Sequence, residues 1–555
     1  MDIARIGRGM IAGLLAAAVA LGVGQLIAGF VAPDASPVVA VGESSIGLTP
    51  PPVKSFAISA FGSHDKVVLV AGILAVLAIF AAVVGVLAMR RLAYGMAGLA
   101  VFTAIGVAAA LTRPTADAGW AFPTLIGGVA AAGALRLLVR AAPPPVARPT
   151  PAPPLEDGVP DSYAGPPAVP DTPEPGPPGA TRPGTAPAYR PVRPVPVYGP
   201  GRRRFLRTSA AAAGTAVVAG LAGRLLSERS SVSQAQSSLR LPRLVHPAPP
   251  LPAGSNLRIP GLSSFITPNS SFYRVDTAIV LPEVPPSGWH LRIHGMVARE
   301  ITISFDELIR RPLTADYITL TCVSNPVGGP YVGNAEWIGA SLASLLREAG
   351  IRAGAEQLLC TSVDGFTSGA PVQTVMDGRD ALLAMAMNGT ALPVEHGFPV
   401  RMVVPGLYGY VSACKWITDI NVTTWADRAY WAQPGQGWAQ QAPIKTESRI
   451  DVPSGDSVLK PGRTPVAGVA WAQHKGVAAV EVRVDSGPWQ EARLAAVPDI
   501  DTWRQWVWEW DATPGTHLIN ARATDATGYT QTSTQEPPAP NGASGYPAIS
   551  VTVSS

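Results

Sequence analysis

Four long apolar runs near the N-terminus constrain this chain more than any other feature. They cover residues 10–31, 67–89, 92–111 and 121–139, and each is close to the ~20 residues that cross a hydrocarbon core about 30 Å thick as a helix. Hydrophobic residues make up 47% of the chain and charged residues only 14%, which is unusual for a soluble protein. The sequence therefore predicts four transmembrane helices within residues 1–140.

Arginines at the ends of these runs predict their orientation. Arg5 and Arg8 precede the first run, Arg90 and Arg91 lie between the second and third, and Arg140 follows the fourth. The loops on the other side carry fewer basic residues. The positive-inside rule therefore places the N-terminus and the segment after the fourth run in the cytoplasm.

A proline-rich segment and a basic-apolar segment follow the four runs. Residues 141–200 contain 21 prolines and few large apolar side chains, so we expect a cytoplasmic linker. Residues 201–227 begin with RRRFLR and continue as an apolar run, which resembles an internal twin-arginine export signal. A fifth transmembrane helix with a basic flank is the alternative. In both interpretations the chain beyond about residue 227 lies outside the cytoplasm, and it begins with an expected linker at 228–255.

The next region, residues 256–430, has the pattern of an α+β domain. Apolar and β-branched residues alternate in short runs, and two segments with helical spacing stand between them. Polar, irregular loops connect these runs, as suits a site that holds a cofactor through many hydrogen bonds. Strands are predicted at 289–297, 317–323 and 399–404, and helices at 305–309 and 341–350.

Residues 440–555 show only strand patterns. Short β-rich runs are separated by turn residues, which predicts an immunoglobulin-like β-sandwich. Trp506, Trp508 and Trp510 alternate with other residues, and we expect them to form the core of the sandwich rather than a ligand platform. The predicted strands lie at 466–472, 479–484, 506–510, 517–523 and 548–553.

Net charge and cysteine content exclude several classes of function and of site. The net charge is only +4, so a nucleic-acid partner is not expected. The chain has 3 cysteines, Cys322, Cys360 and Cys414, and an odd number at these spacings fits neither a disulfide framework nor a zinc motif. Cys360 and Cys414 are interpreted as core residues. Cys322 differs because Val323-Ser324-Asn325-Pro326-Val327-Gly328-Gly329, a polar glycine-containing loop, follows it.

Several motifs, in order along the chain, resemble the sulfite oxidase family of molybdopterin oxidoreductases. The resemblance covers about residues 256–430, and the region after it resembles the dimerisation domain of that family. Pairing of two chains through this region is therefore implied. The motifs are the Cys322 loop, 265–273 (FITPNSSFY), 333–339 (GNAEWIG), 396–401 (HGFPVR), 404–406 (VPG) and 408–416 (YGYVSACKW).

The resemblance implies a Mo-molybdopterin cofactor with Cys322 as the protein ligand of the metal. A thiolate is a soft, strongly donating ligand, which agrees with that role. Arg401 offers a planar fork for phosphate and Lys415 a point charge. The residues implied to contact the cofactor are Asn269, Phe272, Tyr273, Cys322, Asn325, Thr367, His396, Arg401, Ser412 and Lys415.

The substrate side is less closely matched. Sulfite oxidases carry an Arg-Asn-His triplet after the aromatic pair, whereas Tyr273 is followed here by Arg274-Val275-Asp276. Arg274 is a candidate cation for an anionic substrate, and an ordinary surface charge is the alternative. Tyr408 and Tyr273 are candidates for proton transfer. These three residues complete the catalytic candidates beside Cys322.

The sequence thus predicts an extracytoplasmic, membrane-anchored oxidoreductase that transfers an oxygen atom to or from a small sulfur-oxo substrate. The direction, sulfite oxidation or sulfoxide reduction, stays open. No histidine lies within the four apolar runs and no C-x-x-C-H motif occurs, so electrons are expected to pass to or from a separate carrier, a cytochrome or a quinol protein. The alternative is a non-catalytic surface-binding module in which Cys322 is structural.

Overall fold

The computed structural model describes residues 3–31, 35–49, 53, 65–112, 116–142, 200–228, 231–434 and 437–555. The predicted proline-rich linker at 141–200 lies almost entirely outside these residues. All four predicted apolar runs are helices, and the basic-apolar segment is a fifth long helix. The N-terminal helices are α1 (Ile3–Val31), α2 (Pro37–Leu48), α3 (Asp65–Arg90), α4 (Leu92–Leu111), α5 (Ala121–Ala141) and α6 (Pro200–Glu228).

Five of these helices, all except α2, are long and apolar enough to cross a membrane, and we call them the helical bundle. They approach one another at glycines. A Cβ at Gly13 of α1 would overlap the carbonyl oxygen of Ala81 in α3, and one at Gly223 of α6 would overlap Gln25 of α1. Small residues therefore bring the backbones together, as is usual for helices in lipid.

Helix α2 was not expected from the sequence. Its 12 residues are too few to cross a bilayer, and it packs beside α4. Ala40 of α2 is fully buried together with Ala110 and Trp120. The hydropathy pattern gave no sign of it because this short helix is covered mainly by small side chains.

The segment expected to be a linker at 228–255 is instead packed against the central region, in the part that the structure describes. Helix α7 (Ser231–Ser238) buries Val232. The backbone nitrogens of Val245 and His246 both lie within hydrogen-bond distance of the Leu313 carbonyl oxygen, at 3.0 and 3.2 Å. Leu239, Leu241 and Leu244 pack on the same core. The Ser, Gln and Pro content of this segment predicted a linker. The leucines could not be recognised as core residues because their partners are distant in sequence.

The central region, residues 256–430, contains one mixed sheet and one antiparallel sheet. Its short helices are α8 (Phe305–Ile309), α9 (Leu342–Ala349), α10 (Val372–Val375) and α11 (Gly409–Ser412). Its strands are β1 (His290–Gly295), β2 (Ile301–Ser304), β3 (Leu313–Thr321), β4 (Val332–Ser341), β5 (Gln357–Ser362), β6 (Thr367–Pro371), β7 (Leu382–Met387), β8 (Thr390–Ala391), β9 (Arg401–Val403) and β10 (Ile417–Thr423).

One sheet has the order β2-β1-β10-β5-β6, and the other has the order β3-β4-β7-β8 with β9 paired to β7. Local sequence signals explain the helix ends. Ser304 and Glu307 form a capping box at the start of α8. Ser341 caps α9, which stops at Gly350 in a left-handed conformation with φ 71°. The three strands and two helices predicted in this region are confirmed.

The C-terminal region, residues 440–555, contains two further sheets around one apolar core. The orders are β11-β13-β17-β16 and β12-β19-β18-β14-β15. Trp506 and Trp510 are buried in this core, beside Ile519 and Val551, so their predicted packing role is confirmed. The strands are β11 (Glu447–Val452), β12 (Val458–Leu459), β13 (Gly462–Trp471), β14 (Val477–Val484), β15 (Gln490–Glu491), β16 (Arg493–Leu494), β17 (Arg504–Ala512), β18 (Gly515–Asp525) and β19 (Ala548–Val553).

The immunoglobulin-like assignment of this region stays a prediction.

The central region and the C-terminal region share side chains where they meet. Trp503 and Trp471 belong to the core of the central region, and the indole nitrogen of Trp503 donates to the Phe265 carbonyl at 2.8 Å. Arg449 donates to the carbonyl of Gly329, in the loop after Cys322, at 3.2 Å. The C-terminal region therefore supports the loop that follows the candidate metal ligand.

Candidate active site

Cys322 directly follows β3 and begins the loop to β4. Its backbone nitrogen donates to the Tyr331 carbonyl at 2.9 Å, and its carbonyl accepts from the Asn325 nitrogen at 3.0 Å. The thiol is buried, and this burial raises its pKa, while hydrogen bonds from Ser324 oppose the rise. A thiol in this environment stays protonated at neutral pH unless a bound cation takes the place of the proton.

Asn325 shapes the loop from inside. Its side-chain oxygen accepts from the Tyr331 nitrogen at 2.8 Å, and a Cβ at Gly329 would lie only 2.6 Å from that oxygen. The side chain is 2% exposed. Its Nδ2 has no hydrogen-bond partner among the residues that the structure describes. A buried donor left in this way is costly, which indicates that a bound group completes the site.

Arg401, at the start of β9, is the buried cation of the site. Its Nη1 donates to the His396 carbonyl at 3.0 Å, and the guanidinium lies 4.8 Å from the ring centroid of Trp337. Burial lowers its pKa to about 10, so it remains charged. Its Nε has no partner within the described part of the chain. Arg401 therefore combines a buried charge with a donor that is still available.

An aromatic wall stands beside this cation. Phe272 stacks on Tyr273 with ring centroids 5.2 Å apart, and it meets Trp337 and His396 edge to face at 5.7 and 5.4 Å. A Cβ at Gly333 would press on the Phe272 ring, so the glycine admits the ring. Burial raises the pKa of Tyr273, Cys322 raises it further, and Arg401 opposes both. Tyr273 is therefore close enough to both Cys322 and Arg401 to be influenced by each of them.

His396 and Asn269 join two walls of the site. The His396 Nε2 lies 3.3 Å from the Asn269 carbonyl oxygen. Burial, reinforced by Arg401, lowers the pKa of His396 to about 4, so the ring is neutral. The Asn269 side chain accepts from Asn388 at 2.7 Å and donates towards Met387 and Thr390. These hydrogen bonds fix the position of Asn269 in its wall of the site.

Lys415 and Arg274 are joined by a carboxylate that the sequence analysis did not single out. The Asp276 Oδ2 accepts from Lys415 Nζ at 2.8 Å and from Arg274 Nε at 2.7 Å. The Asp276 and Lys415 side chains are 3% and 10% exposed, against 39% for Arg274. Burial lowers the pKa of Lys415 to about 8, although Asp276 opposes this change. Arg274 is thus held in an ion pair.

Tyr408 and Ser412 occupy the side that faces the C-terminal region. Tyr408 is 2% exposed, and a Cβ at Gly542 would overlap its hydroxyl. Burial raises the pKa of Tyr408, and Glu447 and Cys322 add to this rise. The Ser412 hydroxyl lies 2.9 and 3.1 Å from the carbonyls of Leu407 and Tyr408. It therefore supports the backbone of this turn.

Thr367 is the predicted site residue with the clearest other use. It begins β6, and its Oγ1 accepts from the Tyr430 nitrogen at 2.8 Å. Cys322 influences the pKa of both Tyr273 and Tyr408, and Arg401 influences that of Tyr273, so the structure places both tyrosines near predicted site residues. The Thr367 hydroxyl instead ties two parts of the backbone. Asp276 and Trp337 were missed. Trp337 lies within the predicted 333–339 motif, whereas only its position near Arg274 marked Asp276.

Comparisons with known proteins agree with this site. Residues 278–431 match the family model described as oxidoreductase molybdopterin binding domain. Chicken (Gallus gallus) sulfite oxidase is 32% identical over 312 residues, which is 47% of this chain and 67% of that protein. The chain belongs to the sulfite oxidase family. It is a molybdopterin-dependent oxidoreductase, and its cofactor is Mo-molybdopterin.

Other similar proteins match different shares of the chain. Mouse (Mus musculus) mitochondrial sulfite oxidase is 29% identical, over 44% of this chain and 52% of that protein. The chain thus spans about half the length of this relative. The uncharacterized oxidoreductase YuiH of Bacillus subtilis is 30% identical over 26% of this chain and 71% of that protein. The structural match to the sulfane dehydrogenase SoxCD from Paracoccus pantotrophus covers 52% of this chain and 81% of that chain, at 25% identity and a TM-score of 0.46.

The donors of the site fit the cofactor of this family. A pterin dithiolene with a phosphate is rich in acceptors and negative charge, and the site offers two buried, unpartnered donors, Asn325 Nδ2 and Arg401 Nε, within the described residues. Lys415 and Arg401 supply positive charge. Cys322 supplies a single soft ligand, which leaves the other positions of a metal to the pterin and to oxygen.

Proposed function

We propose that this chain catalyses two-electron oxygen-atom transfer on a small sulfur-oxo substrate outside the cytoplasm, as sulfite oxidation or as sulfoxide reduction. The observation that carries the proposal is a pair of buried donors, the Nδ2 of Asn325 in the loop of the buried Cys322 thiol and the Nε of Arg401, which are both unpartnered within the described chain. When bound, the cofactor supplies a metal that exchanges an oxygen atom and two electrons.

In this proposal each residue has a specific task toward the cofactor. Cys322 binds the metal as a thiolate, and Asn325 donates from the same loop. Arg401 and Lys415 neutralise negative charge, and His396 offers a neutral ring edge. The remaining predicted contacts, Asn269, Phe272, Tyr273, Thr367 and Ser412, shape the walls, the last two through the backbone that their hydroxyls hold.

Tyr408 is the proton-bearing group that we propose on the substrate side. Its raised pKa keeps the phenol protonated at neutral pH, so it can donate to a substrate oxygen without itself carrying charge. Tyr273 is the second candidate for the same reason. Cys322 contributes to the raised pKa of both tyrosines, which supports a location of their hydroxyls near the reacting atoms.

The helical bundle supports a membrane anchor. Five helices are long and apolar enough to span a bilayer, and the arginines at their ends favour a cytoplasmic N-terminus and an exported residue range 228–555. Helix α6 carries the twin-arginine-like sequence. Its Gly223 meets Gln25 of α1 at the backbone, which favours a retained fifth span over a cleaved signal.

Two partners complete the proposal. The sequence has no C-x-x-C-H motif and no histidine within the four apolar runs, so we propose a separate cytochrome or quinol protein as the electron carrier. The C-terminal region, residues 440–555, is the proposed contact between two copies of the chain. Size measurement of the detergent-solubilised protein tests that pairing.

Turnover by the full chain, purified in detergent from a host that synthesises the pterin, tests the function. We expect near-stoichiometric molybdenum and pterin together with one of two activities. Sulfite with an artificial electron acceptor tests oxidation, and a sulfoxide with a reduced viologen tests reduction. A well-folded protein that contains neither molybdenum nor pterin and converts neither substrate would contradict the proposal and favour the binding module.

A further inference from the structure

Asp276 occupies a position where the chain departs from the sulfite oxidase pattern. The triplet after the aromatic pair is Arg274-Val275-Asp276 in place of Arg-Asn-His. The Asp276 carboxylate is 3% exposed and contacts both Arg274 and Lys415. A carboxylate so deeply buried is uncommon unless it is paired. Its two partners come from sequence positions that the family resemblance treats separately, one on the substrate side and one on the cofactor side.

The contacts of Lys415 show how strongly its ammonium group is held. Besides Asp276, it donates to the Glu395 carbonyl at 3.0 Å, and it lies 4.6 Å from the ring centroid of Trp416. Two of its three protons are thus directed by the protein. Gly397, with φ 110°, brings its backbone close to the Cβ atoms of Lys415 and Arg401. The backbones of the two buried cations, Arg401 and Lys415, therefore both lie beside Gly397.

Asp276 is the residue, among those described, to which the Arg274 guanidinium donates hydrogen bonds. Its Nε donates to Asp276 Oδ2 at 2.7 Å, and its Nη2 lies 3.4 Å from the Asp276 Oδ1. This is a forked contact, which orients a guanidinium well. Arg274 is the most exposed of the three, and its hydrogen bonds to other described residues leave Nη1 available to meet an anion. The trio Arg274, Asp276 and Lys415 thus carries a net charge of one positive unit with a fixed geometry.

We propose that Asp276 is a positioning residue that holds Lys415 and Arg274 together for the anionic end of the cofactor, so that Arg274 serves cofactor retention rather than substrate binding. This inference rests on the proposed cofactor role of Lys415. Without the carboxylate, two cations face each other in a largely buried place, and Lys415 loses the partner that compensates its desolvation. Arg401 adds a third positive charge nearby.

Asp276→Asn in the full chain tests this inference, because the amide keeps the shape and removes the charge. We expect molybdenum and pterin content to fall to about a tenth of the wild-type value, in line with the effect of losing a residue that orients a ligand-binding group. The KM of the fraction that remains loaded should change less than about twofold, since no group that touches substrate is altered.

Asp525→Asn is the matched control. Asp525 is also a buried carboxylate near a lysine, with Lys475 at 3.6 Å, but it belongs to the C-terminal region. It should lower stability and leave cofactor content per folded protein unchanged. Equal losses of cofactor in both variants would assign the effect to general destabilisation and overturn the inference.

A double-mutant cycle then tests whether Asp276 acts through Lys415. Lys415→Met alone should also lower cofactor content, and adding Asp276→Asn should lower it much less than it does in the wild type, because the positioned group is gone. Strictly additive losses would contradict this mechanism.

Arg274→Met separates the two roles of the arginine. We expect reduced molybdenum and pterin content with an unchanged KM. Normal content with a KM raised tenfold or more would return Arg274 to the substrate side, and no change in either quantity would leave it a surface charge; both results overturn the inference. Wild-type protein without cofactor would contradict the proposed function as well, whereas normal wild-type content with normal Asp276→Asn content overturns this inference alone.

Discussion

The helical bundle and the central region differ in what their interiors contain. In the bundle, glycines such as Gly13 and Gly223 let one helix backbone rest on another, and close packing rather than charge joins the helices. In the central region, the charged side chains of Arg401 and Lys415 are buried. The proposed membrane anchor needs only tight packing, whereas oxygen-atom transfer needs charges held away from water. The difference locates the chemistry in the central region.

The largest expected effect compares two buried cysteines. Cys322→Ser should lower turnover by about a thousandfold or more, which corresponds to ~4 kcal/mol of activation free energy, because a hydroxyl does not replace a thiolate on a soft metal. Turnover per mole of bound pterin and the absorption of the metal–thiolate bond measure the effect. Cys360→Ser is the control, since Cys360 is fully buried in the apolar core.

The control variant should keep its turnover and lose only stability. Replacing the Cys360 sulfur buries a hydroxyl in an apolar core, at a cost of about 1–3 kcal/mol. Similar losses of turnover in both variants would mean that Cys322 is a core cysteine too, and the contrast between the site and its surrounding core would fail.

The second comparison uses two arginines that each lie over a tryptophan. Arg401 is 4.8 Å from the Trp337 centroid and Arg522 is 4.3 Å from that of Trp489. Arg401→Lys keeps the charge but removes the fork and the Nε donor, so we expect cofactor content to fall about tenfold or more. Arg522→Lys should cost stability alone. Cofactor analysis of both purified proteins decides, and normal content in Arg401→Lys would reject a directional role for the guanidinium.

Local signals predicted much of the fold. Ser341 and Gly350 marked the two ends of a helix, and the last strand was expected at 548–553, where β19 lies. Each of these features depends on residues that are adjacent in sequence, through capping, turn chemistry or alternation. Cys322 was identified from the loop beside it and from the order of the family motifs.

The remaining features depend on contacts between distant residues. Asp276 and Lys415 are 139 positions apart, and nothing local indicated that they form a pair. The leucines at 239–244 were hidden for the same reason, because their partners lie far along the chain. Tertiary contacts of this kind carry no periodic signal, and they are the contacts from which the inference about Asp276 was drawn.

A smaller effect is expected in the bundle, where two glycines of α6 differ in their surroundings. A side chain at Gly223 would overlap the backbone of α1, whereas a Cβ at Gly214 meets no atom of the described residues within 4 Å. Gly223→Val should therefore separate α6 from α1 and cost about 1–3 kcal/mol, and Gly214→Val should be nearly neutral. Thermal melting in detergent measures both. Cofactor content and turnover should stay unchanged, and their loss would connect the anchor to the chemistry.

The last expected effect is a pH dependence of stability within the central region. Burial, with Asp499 and Asp380 nearby, raises the pKa of Asp316 to about 8 from its ordinary value of 3.8. Between these values the folded chain binds more protons at this residue than the unfolded chain, so stability should fall as pH rises from about 5 to 8, by at most ~1.4 kcal/mol per pH unit. Asp316→Asn should reduce that slope.

Glu348→Gln is the matched control for this slope. Arg311 and Arg299 hold the pKa of Glu348 below its ordinary value, so this carboxylate is ionised in both the folded and the unfolded chain over the same pH range, and its loss should leave the slope unchanged. Melting temperatures of the three proteins at pH 5, 6, 7 and 8 make the comparison. An unchanged slope in Asp316→Asn would show that this carboxylate is ionised in the folded protein, and its charge would then require a partner that the neighbouring Asp499 and Asp380 do not provide.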